Sequence, residues 1–179
     1  MEMVLGLYLM SFPVGKPVKA ASLADVVRGY MAKKHAVNAA FLVGGKTVCA
    51  GQAVLNQALP EYARIEGPMT KKVMSATIEK VARRDPKAAA EVLNKLKDLG
   101  NHYVTEIGFS VSLRDLAIDN KHRDAILDRA VTRAKTIGFS QASNEAAKSI
   151  STMVHADHAN RFVVMSTGSG ALGSKAGSV

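Results

Sequence analysis

The sequence predicts an α+β fold that is mostly helical, and three observations support this. Apolar residues recur at helical spacing over long segments, most clearly over residues 71–84, 121–135 and 143–158. Side chains that cap helices stand directly before several of these segments. Two short apolar runs flank a Gly-Gly pair, which is typical of a β-hairpin.

Composition and charge indicate a folded protein with an anionic partner. The chain has 179 residues, of which 47% are hydrophobic and 22% charged, so it can bury one core or be one piece of a larger assembly. Lys and Arg number 24 against 15 Asp and Glu, a formal charge of +9 that favours nucleic acid over a membrane surface. A solvated basic face is the alternative. The single cysteine, Cys49, excludes an internal disulfide and is expected to be a buried small residue.

The apolar N-terminal run, residues 3–12, is predicted to be a strand covered on both faces, because no polar face is present. The run is too short to span a membrane, and Glu2 stands where a signal peptide carries a basic residue. The Pro- and Gly-containing stretch 13–17 is expected to end this strand. Ser22 then predicts the cap of a helix that extends through Tyr30.

Residues 41–48 predict two short strands joined by a turn at Gly44 and Gly45. The stretch through Thr47 also matches the end of a phosphate-binding loop, G-x-x-x-x-G-K-[ST]. However, Ala40 stands where that motif requires its first glycine. The hairpin is therefore the preferred interpretation.

Thr70 predicts the start of a further helix, since a Thr side chain caps the N–H groups of a first turn. The basic residues of this helix fall largely on one side: Lys71, Lys72, Lys80, Arg83 and Arg84. Two interpretations are open: that side faces nucleic acid, or it is a solvated face whose last two residues complement the helix C-terminus. The residues alone favour the second.

The next segment predicts a helix, a strand and a second helix in close succession. Asp85 and Pro86 are expected to open the first helix and Gly100 to close it. Residues 107–113 alternate apolar with small or polar side chains, which favours a half-buried strand. Asp119 and Asn120 stand where the cap of the second helix is expected.

The two helices over residues 121–135 and 143–158 are expected to form an antiparallel hairpin around the turn at residues 137–140. His155 and His158 near its end have the one-turn spacing of a metal-binding pair. A zinc site needs more ligands than these, so an exposed helix end is the preferred interpretation.

The C-terminal residues predict a strand over 162–165 and then a glycine loop. Residues 168–173 satisfy G-x-G-x-x-G, the loop of dinucleotide-binding folds. Those folds also need a following helix and an acidic residue about 20 positions further on. The sequence stops at Val179 without either, so a self-contained dinucleotide site is rejected.

Four collinear blocks carry a family resemblance: Val4-Leu5-Gly6-Leu7-Tyr8-Leu9-Met10-Ser11; Asn56-Gln57-Ala58-Leu59-Pro60; Leu99-Gly100 with Tyr103, Thr105, Gly108, Ser110, Ser112, Asp115 and Lys121; and Ser169-Gly170-Ala171-Leu172-Gly173-Ser174. Together they resemble the largest (beta-prime) subunit of multisubunit DNA-directed RNA polymerases. The matching segment lies between the catalytic magnesium motif and the bridge helix of that subunit.

The resemblance implies four segments of the beta-prime fold. Residues 1–68 would be an N-terminal strand and helix segment, and residues 69–118 a helical segment of the secondary-channel funnel. Residues 119–158 would form a hairpin like the rim helices of that channel, and residues 159–179 a strand and glycine loop leading toward the bridge helix.

The resemblance also implies which residues face the phosphates of an incoming nucleotide: Ser169, Gly170, Gly173, Ser174 and Lys175. Leu172 stands where the family carries a basic residue, and Lys175 is expected to compensate in part. Gln52 likewise replaces the usual Arg of the family. The chain has no run of closely spaced aspartates, so no catalytic or metal-binding residue is expected in it. Mg²⁺ in the assembled enzyme would be held by another chain.

The expected function is that of a beta-prime-like part which shapes the secondary channel and is inactive alone. Its partners would be beta-like and remaining beta-prime-like chains, template DNA, RNA and nucleoside triphosphates, in the cytoplasm of a cell or host, or in a virion. The positions of the first and last blocks suggest a divided subunit, as in large bacteriophages, with a cut piece as the alternative. Two other functions remain open: a basic polymerase-mimicking regulator that binds polymerase or nucleic acid, and a stand-alone nucleotide-binding protein that uses the glycine loop.

Overall fold

The computed structural model describes residues 2–112, 119–156 and 163–170, and these form a mostly helical α+β structure, as predicted. The described residues divide into two compact units. The first contains residues 2–109 and 169–170, and the second contains the described residues between 110 and 168. Within the described residues no helix is both long and apolar enough to cross a membrane.

The first unit holds six regular helices or helical turns and one small sheet among its described residues. In chain order its elements are α1 (Glu2–Ser11), β1 (Val14–Lys19), α2 (Leu23–Met31), β2 (Ala39–Val43), β3 (Lys46–Val48), α3 (Ala50–Gln57), a 3-10 turn (Glu61–Ala63), α4 (Lys71–Arg84) and α5 (Pro86–Ile107). The second unit holds α6 (Asn120–Ile137), α7 (Phe139–Ala156) and a short π-helical segment (Val164–Gly168).

The N-terminal apolar run is helix α1, so the prediction of a buried strand over residues 3–12 is wrong. A run that is apolar all round does not distinguish the two by periodicity, and a length of ten residues favours a buried helix. Leu7 and Met10 are fully buried in the main core. The following residues, expected only to break a strand, form the exposed strand β1.

Helices α1 and α5 cross at two glycines that face each other. A Cβ atom on Gly6 would lie 1.8 Å from the carbonyl oxygen of Gly100, and one on Gly100 would lie 2.3 Å from the carbonyl oxygen of Met3. Only residues without a side chain allow backbones to approach this closely. The prediction that Gly100 closes α5 is therefore wrong: the helix continues to Ile107 and is capped by Gly108, whose φ is +66°.

The sheet has the order β1-β2-β3, with β1 parallel to β2 and β2 antiparallel to β3. The predicted hairpin is confirmed, and Gly44 and Gly45 in its turn have φ values of +57° and +81°. The cap at Ser22 is also confirmed, because its Oγ accepts a hydrogen bond from the Asp25 N–H at 3.2 Å.

The elements β1, α2, β2 and β3 form a lobe, here called the sheet lobe. A pair of tyrosines joins this lobe to α5. The hydroxyl of Tyr30 on α2 lies 3.1 Å from that of Tyr103 on α5. Tyr103 is buried, and burial raises the pKa of its hydroxyl, so the group stays protonated and available as a donor. This contact fixes α2 relative to the main core.

The helix starts predicted at Thr70 and Asp85 are confirmed. Thr70 Oγ1 accepts from the Val73 N–H at 3.3 Å, and Asp85 Oδ1 accepts from the Lys87 N–H at 2.9 Å. The half-buried strand predicted over residues 107–113 is wrong, because residues 108–112 have no regular structure and Leu113 lies outside the described residues. The Gly108 cap ends α5 one residue into that stretch.

The second unit contains the predicted helical hairpin. Asp119 caps α6, as predicted, by accepting from the Lys121 N–H at 3.1 Å. Helix α7 begins at Phe139, earlier than predicted, since Gly138 with φ +86° completes the turn alone. An ion pair between Arg133 and Glu145 at 2.7 Å joins the two helices.

Residues 163–165 are helical, so the strand predicted over residues 162–165 is wrong for the part that is described. Phe162 lies outside the described residues. The run is too short for periodicity to separate strand from helix, and the two β-branched residues Val163 and Val164 biased the prediction toward a strand.

The segment between α3 and α4 is fixed by the side chain of Asn56. Its Nδ2 donates to the carbonyl of Ile65 at 2.8 Å, and its Oδ1 accepts from the Ile65 N–H at 2.9 Å. One amide therefore satisfies both backbone groups of a residue in the connecting loop. This clamp positions the start of α4.

We predict that Gly6→Ala lowers the free energy of unfolding by about 3 kcal/mol or more, because the new Cβ would overlap the backbone of α5 and neither helix can yield cheaply. Urea unfolding followed by circular dichroism measures this. Gly67→Ala is the matched control: a Cβ atom at that position would have no neighbour within 4 Å, so a change within about 0.5 kcal/mol is expected. Equal effects of the two substitutions would contradict the close crossing.

We predict that Asn56→Ala lowers the free energy of unfolding by about 1–3 kcal/mol, because two backbone groups of Ile65 lose their partner. The same urea titration measures it. Gln57→Ala, at the exposed neighbouring position, is expected to be near neutral. A neutral Asn56→Ala would show that water replaces the clamp.

Candidate functional site

The first half of the glycine loop lies on the N-terminus of α4. The N–H of Lys71 donates a hydrogen bond to the carbonyl of Ser169 at 2.9 Å. Gly170 follows with φ +68°, and a Cβ on it would lie 3.4 Å from the Cβ of Lys71. The loop carbonyl thus satisfies one of the N–H groups that a helix leaves unpaired at its start.

The start of α4 is itself held by α1. The N–H of Met69 donates to the Oγ of Ser11 at 2.8 Å, and that hydroxyl donates to the carbonyl of Leu7 at 2.6 Å. Ser11 and Met69 are fully buried. The position of the helix start therefore depends on the packing of the N-terminal helix.

Two lysines occupy the first turn of α4, where helices favour acidic residues. Lys71 and Lys72 are exposed, and this turn has no acidic residue. Each positive charge at a helix N-terminus is unfavourable by about 0.3–1 kcal/mol, because it opposes the helix dipole. The same arrangement attracts an anion, since the helix end and both ammonium groups are positive there. A local violation of a stability rule is typical of a functional position.

The far end of α4 uses its basic residues differently. Arg83 pairs with Glu79 at 2.6 Å, and the guanidinium of Arg84 lies 4.5 Å from the centre of the Tyr62 ring. By contrast, Lys71, Lys72 and Lys80 form no ion pair within the described part of the chain. Two of these three lysines, Lys71 and Lys72, lie at the glycine-loop end of the helix.

Of the predicted phosphate-facing residues, the structure describes Ser169 and Gly170, and it brings both to the start of α4. Ser169 is fully buried, so it anchors the loop through its carbonyl. Gly173, Ser174 and Lys175 lie outside the described residues. The phosphate-facing role of all five residues stays a prediction.

Gln52, which replaces the expected Arg, is buried and serves the local structure. Its Oε1 accepts from the N–H of Cys49 at 3.4 Å, at the start of α3. Cys49 is fully buried, as predicted, and burial raises the pKa of its thiol, which disfavours a nucleophilic thiolate. Neither side chain presents a polar group on the surface.

No group of three or more His, Cys, Asp or Glu side chains that could hold a metal ion occurs among the residues described. The exposed helix end predicted at His155 and His158 stays a prediction, because the side chain of His155 and all of His158 lie outside that set.

Sequence reasoning missed the contact between Lys71 and the glycine loop. The two segments lie far apart along the chain, so no local pattern joins them. The available signal was two lysines directly after a helix cap, which runs against the dipole preference.

The chain is similar to several DNA-directed RNA polymerase beta' subunits. It is 30% identical over 148 residues to that of Syntrophobacter fumaroxidans, which covers 76% of this chain and 11% of that subunit. It is 37% identical over 89 residues to that of Mycobacteroides abscessus, which covers 49% of this chain and 7% of the subunit. It is 32% identical over 99 residues to that of Sulfurihydrogenibium sp., which covers 53% of this chain and 6% of that subunit. The chain thus spans 11% or less of the length of these relatives. No protein-family model matches the chain.

Proposed function

We propose that the chain forms part of a beta-prime-like subunit of a multisubunit DNA-directed RNA polymerase, active only in the assembled enzyme. The observation that carries this proposal is the similarity to beta' subunits over 148 residues, 76% of the chain. A mostly helical structure with buried glycine crossings is consistent with an interior segment of a large subunit. The activity is then nucleotidyl transfer by the whole assembly.

Within that assembly, the glycine loop and the start of α4 form the phosphate-facing edge of the passage by which nucleotides enter. The edge comprises Ser169, Gly170, Gly173, Ser174 and Lys175 of the loop, with Lys71 and Lys72 of α4. Glycines let backbone N–H groups approach an anion closely, and the lysines add positive charge for a triphosphate. Lys175 compensates in part for Leu172, which stands where the family carries a basic residue.

We propose that a companion chain with an Asp-rich loop holds the Mg²⁺, as the resemblance to beta-prime subunits implies. Polymerisation of nucleotides uses Mg²⁺ held by several oxygen ligands. The residues of this chain orient the substrate and stabilise its negative charge.

The helical hairpin of α6 and α7 corresponds in this proposal to the rim of the secondary channel. The partners are beta-like and remaining beta-prime-like chains, template DNA, RNA and nucleoside triphosphates. We further propose that the polymerase works in the cytoplasm of a cell or host.

A second function, a basic polymerase-mimicking regulator, is favoured by a different observation. The chain carries a formal charge of +9, with 24 Lys and Arg against 15 Asp and Glu. A protein with this composition can bind a complete polymerase or its nucleic acid without contributing to the active site.

Purification through an affinity tag on the chain separates the two functions. The proposed subunit predicts a stoichiometric complex with beta-like and beta-prime-like chains that synthesises RNA on a DNA template. The regulator predicts sub-stoichiometric attachment to a complete polymerase. A chain that purifies without either companion contradicts both proposals.

We predict that Lys72→Glu raises the KM for nucleoside triphosphates of the assembled enzyme about 5- to 10-fold, because a negative charge replaces a positive one beside the phosphates. The same change should increase the free energy of unfolding by about 0.3–1 kcal/mol, since it suits the helix dipole. Lys95→Glu on the exposed face of α5 is the matched control. If both substitutions change KM alike, the charge acts on the assembly and not on the nucleotide.

We predict that Lys175→Ala lowers nucleotide affinity and slows elongation by the assembled enzyme. The substitution removes the positive charge that replaces the family's basic residue at the position of Leu172. Single-nucleotide addition at varied triphosphate concentration measures both. An unchanged elongation rate at low triphosphate concentration would show that Lys175 does not compensate for the missing basic residue at position 172.

A further inference from the structure

The lobe formed by β1, α2, β2 and β3 is strongly basic. Residues 14–48 contain six basic residues and one acidic residue. The acidic residue, Asp25, is held within α2: Ser22 Oγ donates to its Oδ2 at 2.7 Å, and Arg28 pairs with its Oδ1. Lys46 pairs with Glu66 at 3.0 Å. The remaining four, Lys16, Lys19, Lys33 and Lys34, form no ion pair within the described ranges.

An open cleft of about 580 Å³ lies in this lobe, between α2, the residues that follow β1, and β2. Its polar side combines the charged side chains of Arg28 and Lys34 with Asp25, whose carboxylate pairs with Arg28, and its apolar side includes Ala20. Two aromatic rings also line it: His35 and Phe41, with centroids 4.6 Å apart. Cations beside aromatic rings are the combination that binds unstacked bases and their phosphates.

Gly29 allows His35 to lie against α2 at this cleft. A Cβ on Gly29 would lie 2.6 Å from the Nε2 of His35. The missing side chain therefore leaves room for the histidine ring between the helix and Phe41. Glycine is a poor helix-forming residue, so α2 loses some helix stability at this position while it accommodates the histidine ring.

The backbone that carries the lysines is strained. Lys33 has φ +55°, a left-handed conformation that usually falls to glycine at the end of a helix. The N–H of Lys33 donates to the carbonyl of Tyr30 at 2.8 Å, and the N–H of Lys34 donates to that of Gly29 at 3.0 Å. The chain keeps a lysine where glycine is favoured, and such strain is concentrated at functional positions.

We propose that this cleft binds single-stranded nucleic acid. Phosphates bind Arg28 and Lys34 in the cleft and Lys33 beside it, and one base stacks on the ring of Phe41, to which the His35 ring is tilted by 55°. A duplex fits less well, because its bases are already stacked and unavailable to the rings. A mononucleotide fits less well, because the cations extend beyond the cleft to Lys16 and Lys19 on β1. The proposal does not require membership of a polymerase.

Fluorescence anisotropy with the full 179-residue chain tests this directly. The probes are labelled oligo(U) RNA, oligo(dT) DNA and a DNA duplex of equal length, each titrated at several salt concentrations. We expect both single strands to bind more tightly than the duplex, with affinity falling as salt rises. ATP in excess is expected not to displace the strand. Preference for the duplex, or displacement by ATP, would overturn the proposal.

Three variants locate the binding. Phe41→Leu is expected to weaken binding about tenfold through lost stacking. The double variant Lys33→Gly with Lys34→Gln is expected to weaken it to a similar extent and to flatten the salt dependence. Because glycine relieves the strain at position 33, this variant should unfold no more easily than the wild type. Lys97→Gln on α5, outside the cleft, is the control. Wild-type affinity in both cleft variants would refute the site.

Photo-crosslinking gives a second readout that remains valid inside an assembly. RNA carrying 4-thiouridine is irradiated with the chain, and the crosslinked peptides are mapped by mass spectrometry. Crosslinks between residues 28 and 41 support the site. Crosslinks confined to α4 or the glycine loop contradict it while leaving the proposed polymerase function intact, so the two failures are distinguishable.

Discussion

The close crossing of α1 and α5 is the constraint on which the first unit depends. Gly6 and Gly100 let the two backbones touch, and α1, which is apolar all round, is buried at this crossing. A further glycine, Gly51, brings the start of α3 against the end of α1 in the same manner. The hydroxyl of Ser11 then holds the residue that precedes the cap of α4. The position of the glycine loop therefore depends on contacts made by α1, which lies far from the loop along the sequence.

Two basic regions of the first unit follow different physical rules. On α4, Lys71 and Lys72 oppose the helix dipole beside a loop whose glycines allow close backbone approach. On the sheet lobe, Lys33 opposes the preference of the backbone itself, beside a cleft lined by two rings. In both places stability is reduced to keep positive charge at one point. That shared feature separates these lysines from Arg83 and Lys46, which are neutralised by carboxylates.

The features that sequence predicted correctly are those determined by neighbouring residues. Helix caps at Ser22, Thr70, Asp85 and Asp119 depend on one side chain and the next turn, and they are where expected. The Gly-Gly hairpin is equally local. The errors arose where a residue serves a distant partner: Gly100 resembles a helix end but is a crossing point, and α1 lacks the periodicity that would have identified it as a helix. For the same reason the contact between the glycine loop and the start of α4 was not predicted, because Ser169 and Lys71 lie far apart along the chain.

The burial of α1 against α5 has a consequence for biosynthesis. Helix α1 is translated before its partner α5, which is complete only at Ile107, and translation at about 5–20 residues per second delays that partner by roughly 5–20 s. During this interval an apolar segment with no polar face has left the ribosome without the surface that buries it in the folded unit. Slowing translation between α1 and α5 is therefore expected to increase aggregation of the nascent chain.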